Sequence, residues 1–222
     1  RILWFRRDLR IEDNHLLSLE GEVLQIFIFY NNILSSLKKE YRRVSIIYKA
    51  LLNLKSSLQM RGLDLALFYG KPVDVFRWIL STHRFDEVCA SGDYDHYALE
   101  RDREISHLLP FNYIHDTYIF RPDEILKNDG TPYLVFTPFY NRAKSLFCPE
   151  HMREFFPAKQ QLSQFDYTSL YCIQASDHSL SPVKLESIGF IPQKLSPEQQ
   201  STPAQKLDIF AAKIGQYAQN RD

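Results

Sequence analysis

The chain has 222 residues, 45% hydrophobic and 14% aromatic, enough for one packed core with an appendage and too apolar for a disordered polypeptide. Lys+Arg and Asp+Glu both number 27, so there is no basic excess for gripping a phosphate backbone, and any affinity for DNA must be local or lie elsewhere. Cys89, Cys148 and Cys172 stand far apart without zinc spacing, no apolar run reaches transmembrane length and the start does not resemble a signal peptide; this excludes a disulfide framework, a zinc site and a membrane span, and favours a reduced, cytoplasmic setting.

Ile2-Leu3-Trp4-Phe5 is a short apolar run bounded by Arg6, Arg7, Asp8 and Arg10, which reads as a buried strand followed by its exit loop. On charge alone, that loop reads as a solvated ion-pair cluster. A helix start is expected at Asp13, running into Leu16, Leu17 and Leu19 and ending at Gly21. Val23 to Tyr30 is nearly continuous apolar sequence, the pattern of a strand covered on both faces. Val44, Ile47, Leu51, Leu54 and Leu58 recur at helical spacing between Arg42 and Met60, with Gly62 as the stop. The alternation then repeats: a strand at 63–69, a helix opened by Pro72, a strand at 87–91, a helix at 95–109 and a strand at 111–115.

Strands alternating with helices of ordinary length predict an α/β fold, a Rossmann-like, doubly wound five-stranded parallel sheet in the order 3-2-1-4-5, with helices on both faces. In that order the loops 6–14 and 92–97 flank one crevice at the carboxyl edge. Beyond the sheet, Asn128-Asp129-Gly130 marks a turn and 139–147 reads as helix. Residues 158–202 are rich in Gln, Ser and Pro, a linker composition, although Leu185, Ile188 and Phe190 imply that parts pack down. The domain division expected from this is 1–150 for the α/β unit and 151–222 for a linker and connecting helix. Thr202-Pro203-Ala204-Gln205 matches a capping box, and Leu207, Phe210, Ala211, Ile214 and Tyr217 form an apolar stripe that needs a partner surface.

No GxGxxG, Walker lysine loop, GxSxG or HExxH is present, and no nucleophile stands beside a base, so no catalytic residue and no metal ligand is assigned. The second informative stretch is DYDHYALERD, 93–102, which opens a helix after the fourth strand. In its plainest reading Asp93 or Asp95 caps that helix, and Glu100, Arg101, Asp102 and Arg103 are its wet face.

Three segments in the same order carry a family resemblance. WFRRDLRIEDNHLL (4–17) closely resembles the opening of the DNA photolyase/cryptochrome family, roughly WFRRDLRxxDNxAL. DYDHYALERD resembles the family's DYxxYxxxRD, and GTPYLVFTPF (130–139) its GxPYxVFTPF. The end, 207–222, with Tyr217 and Arg221-Asp222, resembles the helix that leads into the family's flavin domain.

The resemblance implies the N-terminal, antenna-binding domain of a deoxyribodipyrimidine photolyase, whose helical FAD-binding domain would start where this chain stops. In that family FAD drives light-dependent repair of UV-induced pyrimidine dimers in DNA. By the same resemblance this chain alone would be inactive, would meet damaged DNA only through the other domain and would be a monomer off the membrane. The candidates for holding an antenna chromophore are Arg6, Arg7, Tyr30, Asp93, Tyr94 and Tyr97. Members that bind a reduced folate carry an Asn-Glu pair where this chain has Tyr97-Ala98, so a deazaflavin or flavin, or no antenna at all, is expected over folate. Tyr30-Asn31 also departs from the family's usual Asp-Pro. A cryptochrome-type blue-light photoreceptor and a free-standing nucleotide-binding α/β module are the alternatives; the lack of a glycine-rich phosphate loop counts against the second.

Overall fold

The computed structural model describes residues 1–174, 177–196, 201 and 203–216. Five parallel strands form its centre: β1 (Ile2–Phe5), β2 (Gly21–Tyr30), β3 (Ala66–Gly70), β4 (Val88–Ser91) and β5 (Phe111–Ile114). They lie in the order β3-β2-β1-β4-β5, as expected from the sequence. Successive side chains of β1 point to opposite faces, and both faces are covered. Leu3 and Phe5 pack with α2 (Arg42–Gln59) through Val44, Leu51, Leu54 and Leu58. Ile2 and Trp4 pack on the other side with α3 (Pro72–Thr82) and α4 (His96–Ser106) through Val75, Phe76, Ile79 and Ile105. A four-residue helix, α1 (Asn31–Leu34), follows β2 directly.

The sheet does not stop at five strands. β6 (Gln160–Leu162) pairs in parallel with the start of β2, β7 (Ser169–Gln174) in parallel with β3, and β8 (Asp177–Pro182) antiparallel with β7 at the edge. The linker composition expected over 158–202 is therefore corrected for 160–174 and 177–182, where the chain extends the sheet, while Leu185, Ile188 and Phe190 join the α2-side core as expected. The physical reason is that few inward residues suffice: Leu170, Tyr171 and Ile173 are buried, while β8 is an edge strand whose polar residues face water. β7 approaches β3 so closely that a Cβ at Gly70 would meet the carbonyl oxygen of Ile173, so glycine is required there.

Two further expectations change. The helix expected from Asp13 is a single 3-10 turn at His15–Ser18 whose cap is Asn14, and Asp13 instead takes a left-handed φ of 46°. Asn14 is fully buried; its Nδ2 donates to the carbonyls of Asp8 (3.0 Å) and Arg10 (2.9 Å) and its Oδ1 accepts from Leu16 N–H (2.9 Å), which fixes the loop after β1. Ile47, expected on the buried stripe of α2, is 40% exposed.

The helix expected at 139–147 starts earlier, as α5 (Phe136–Leu146), and buries none of its residues. α6 (Pro203–Ala211) likewise leaves Leu207 and Phe210 exposed, and Ile214 beyond it is exposed too. Thr202 of the expected capping box, and Tyr217, Arg221 and Asp222, lie outside the described residues. Among the described residues no helix is long and apolar enough to cross a membrane.

Candidate functional site

The loop leaving β1 begins with a buried anchor. Asp8 accepts from the Arg6 backbone N–H (2.9 Å) and from the Ser91 hydroxyl at the end of β4 (2.8 Å), tying the two strand ends that flank the change in winding direction. This holds Arg6 against the sheet end, where its guanidinium stacks over Trp4 at 4.0 Å. Arg6 forms a two-pronged pair with Asp102, Nη1 to Oδ2 at 2.9 Å and Nη2 to Oδ1 at 2.7 Å, and Nη1 also donates to the Ser91 carbonyl. Both side chains are sealed from water.

α4 delivers the rest. Asp95 caps it, accepting from Ala98 N–H at 2.8 Å, and Ala98, Arg101, Asp102 and Ile105 face inward at helical spacing. The expected wet face is thus half wrong: Arg101 and Asp102 are buried, because the i, i+3, i+4, i+7 stripe includes them. Arg101 Nε donates to Asp102 Oδ1 at 2.8 Å and Nη1 to the Tyr30 hydroxyl at 2.9 Å. Two guanidiniums share one carboxylate. Burial, and then the like charge of Arg101, lower the Arg6 pKa from its ordinary value, with Asp102 pulling the other way. Burial likewise pushes the Tyr30 phenol far up, so its hydroxyl keeps its proton.

Above this cluster, at the carboxyl ends of β1 and β2, opens a cleft of about 250 Å³. One wall is apolar, from Phe27, Phe29, Ile33, Leu34, Val44 and Ile47; the other carries Tyr97 and Ala98 of α4. Arg7 stands at the rim, exposed, and pairs with Asp93 (3.2 Å) and Asp95 (3.7 Å). Of the six residues expected from the sequence, Arg6, Arg7, Tyr30, Asp93 and Tyr97 line this cleft. Tyr94 does not: it turns away, its hydroxyl meeting His115 Nδ1 at 2.9 Å and its ring lying beside Tyr118. Adjacent residues of an extended segment point to opposite sides, so Asp93 and Tyr94 could not both face the same hollow. Arg101, Asp102 and Trp4 were missed; the inward stripe of α4 was the available signal for the first two.

A larger hollow, about 1000 Å³, lies on the other side of the same loop. Arg10, Asp13, His115, Asp116 and Arg153 line it. Arg10 is paired there with Asp116 (3.1 Å) and donates to the carbonyls of Glu12 and Asp13. Phe155 bridges its floor, stacked on His15 with centroids 3.9 Å apart and bonded through its N–H to Asp13 Oδ1.

What this geometry can do is hold a flat, largely apolar molecule away from water over a fixed positive floor. Comparisons with known proteins identify the family. The family model for DNA photolyase matches residues 1–160. A deoxyribodipyrimidine photo-lyase of Alkalihalophilus pseudofirmus is 29% identical over 153 residues, covering 63% of this chain and 32% of that protein. One of Synechococcus sp. is 28% identical over 148 residues, covering 63% and 31%. The chain spans about a third of the length of these curated relatives. Among solved structures, an archaeal photolyase from Sulfolobus tokodaii, described with two FAD molecules, superposes with a TM-score of 0.65 at 21% identity, covering 94% of this chain and 45% of that one. A class III photolyase from Agrobacterium tumefaciens gives 0.66 at 24% identity, covering 87% and 38%. The two superpositions show the shared fold. The matched 160 residues begin with the strand and loop that build the floor of the cleft, and on that match the chain belongs to the DNA photolyase family.

Proposed function

We propose that this chain is the pigment-holding part of a deoxyribodipyrimidine photolyase, a light-driven enzyme that uses FAD to split UV-induced pyrimidine dimers in DNA. In this reading the 250 Å³ cleft over β1 and β2 receives the antenna chromophore, while the catalytic FAD and the damaged DNA are held by a further, helical domain of the kind the family resemblance implies. The observation that carries it is the pairing of an apolar wall with a rigid, sealed charge cluster built from the family's own WFRRDLR segment. A chromophore bound there is fixed in angle and shielded from quenching water, which is what energy transfer requires.

The exposed apolar residues of α5, together with Leu207 and Phe210 of α6, support a covering domain. The chromophore favoured is a flavin or deazaflavin. By the family resemblance Tyr97 and Ala98 stand where folate-binding members carry Asn-Glu, and the Sulfolobus tokodaii structure is described with two FAD molecules and the implication of a novel light-harvesting cofactor. For the photosensor alternative there is a likeness of fold to a Synechocystis cryptochrome, at 17% identity, whereas the curated relatives above carry the repair enzyme's name.

The test is a fluorescence titration of the chain with riboflavin, run beside one with a reduced folate. Saturable quenching by riboflavin alone is expected. Folate held with its pterin at Tyr97 and Ala98 overturns the choice of chromophore. Light-dependent repair of dimers by these 222 residues alone overturns the division of labour.

A further inference from the structure

Trp4 is fully buried, yet it belongs to the lining of the cleft over β1 and β2. For a pigment that must pass its energy on, this is a hazard. Indole gives up an electron readily, an excited flavin takes one readily, and the transfer crosses a few ångströms of packed atoms without contact. Two cations stand against this ring: the Cζ of Arg6 lies 4.0 Å and that of Arg101 5.0 Å from its centroid. Asp8 and Asp102 balance the charge of the cluster as a whole, their oxygens turned onto the N–H and O–H donors of Arg6, Arg101 and Ser91. What counts for the ring is therefore placement and not net charge. A guanidinium over the π face attracts the neutral indole and repels the cation that loss of an electron would leave. Sealed from water, that repulsion is little screened. Arg6 alone already engages both oxygens of Asp102, so the pair that holds the loop does not need a second, costly buried guanidinium.

We propose that Arg6 and Arg101 hold back the electrons of Trp4, so that a pigment excited in the cleft keeps its energy long enough to transfer it. The inference rests on the chromophore reading above and deepens it, giving the sealed arginines a task besides holding the loop. The loss they oppose is the passage of one electron from the Trp4 indole to the excited pigment. It leaves an indole radical cation and a pigment radical anion, with no proton moved and no bond made or broken. Two other rings of the lining can give an electron, Tyr30 and Tyr97. The Tyr30 hydroxyl accepts from Arg101 Nη1 at 2.9 Å and burial keeps its own proton in place, whereas Tyr97 is 43% exposed at the rim.

The test is the fluorescence lifetime of riboflavin bound to the whole chain. Tyr30→Phe and Tyr97→Phe are introduced together, which leaves Trp4 as the electron-rich ring of the cleft. In that background Arg101→Leu, which keeps Arg6 on Asp102, should shorten the lifetime about threefold, and Arg101→Lys, which keeps the charge, should shorten it less. Adding Trp4→Phe to Arg101→Leu should restore the lifetime. An unchanged lifetime in Arg101→Leu overturns the proposal. So does a shortening that Trp4→Phe leaves in place, which would mean that the substitution had merely loosened the cleft or let water in. A separate measurement needs neither tyrosine substitution: Trp4→Phe in the original chain should leave the lifetime as it was, and a longer one would show Trp4 quenching in spite of both arginines. Failure of riboflavin to bind the original chain would instead sink the chromophore reading, and this inference with it.

Discussion

Arg6 and Arg10 leave the same loop four residues apart and end in opposite environments. Arg6 is sealed against Trp4 and locked onto buried Asp102 beside a small apolar cleft. Arg10 is 42% exposed on its side chain, bonded to Asp116 and to backbone carbonyls at the edge of a hollow four times as large. The larger hollow has the room; the smaller one has the fixed, desolvated charge. A ligand gains more from donors that are already oriented and dry than from volume, because neither reorganisation nor stripping of water remains to be done on binding.

The largest effect that tests this contrast is on stability. Asp102→Ala leaves two buried guanidiniums without their carboxylate, and urea unfolding should show a loss of about 3–5 kcal/mol. Asp116→Ala, acting on the half-exposed Arg10, should cost no more than about 1 kcal/mol. Equal losses would mean that the two arginines are not in different environments after all.

The next effect is on binding. Ile47→Glu places a charge on the apolar wall of the cleft at a position already partly open to solvent. Riboflavin affinity should fall about tenfold, or about 1.4 kcal/mol, while stability stays within about 0.5 kcal/mol. If affinity holds, the ligand sits elsewhere, and the larger hollow becomes the place to look.

The smallest effect is one of pH and belongs to the larger hollow. Burial lowers the pKa of His15 from its ordinary 6.5, Asp116 opposing and Arg153 assisting. The unfolded chain therefore protonates His15 first as pH falls; the stability that rests on neutral His15 is complete above 6.5 and lost as pH drops through the lowered folded value. Asp116, whose pKa burial raises from 3.8, has the opposite sign. His15→Phe, which keeps a ring against Phe155, should flatten the stability profile between about pH 7 and pH 5 by less than one proton's worth of slope. An unchanged slope would assign the acid sensitivity to another group.

Much of the fold could be read directly. The strand runs 2–5 and 23–30, the helical spacing from Val44 to Leu58 and the proline at 72 report local geometry, and all lie where that geometry put them. The strands at 160–182 could not, because an edge strand needs apolar residues on one side only and its Gln and Ser residues look like linker. In the site, the loop arginines stood out by charge, but charge does not say which of them is buried. Arg101 and Asp102 were hidden for the same reason: five consecutive charged residues, 100–104, look solvated unless the inward stripe is followed through them. Tyr94 was grouped with Asp93 by proximity in sequence, where extended backbone separates them.

By itself, then, the order of residues determined the five parallel strands, the loop that forms the floor and the family, because strand runs, helix periods and an unbroken motif are local properties of the chain. The tertiary structure alone decided that Asp102 lies between Arg6 and Arg101 and that Arg6 is sealed while Arg7 and Arg10 are not. Those facts depend on bringing together residues about ninety-five positions apart and removing the water between them, which no local pattern records.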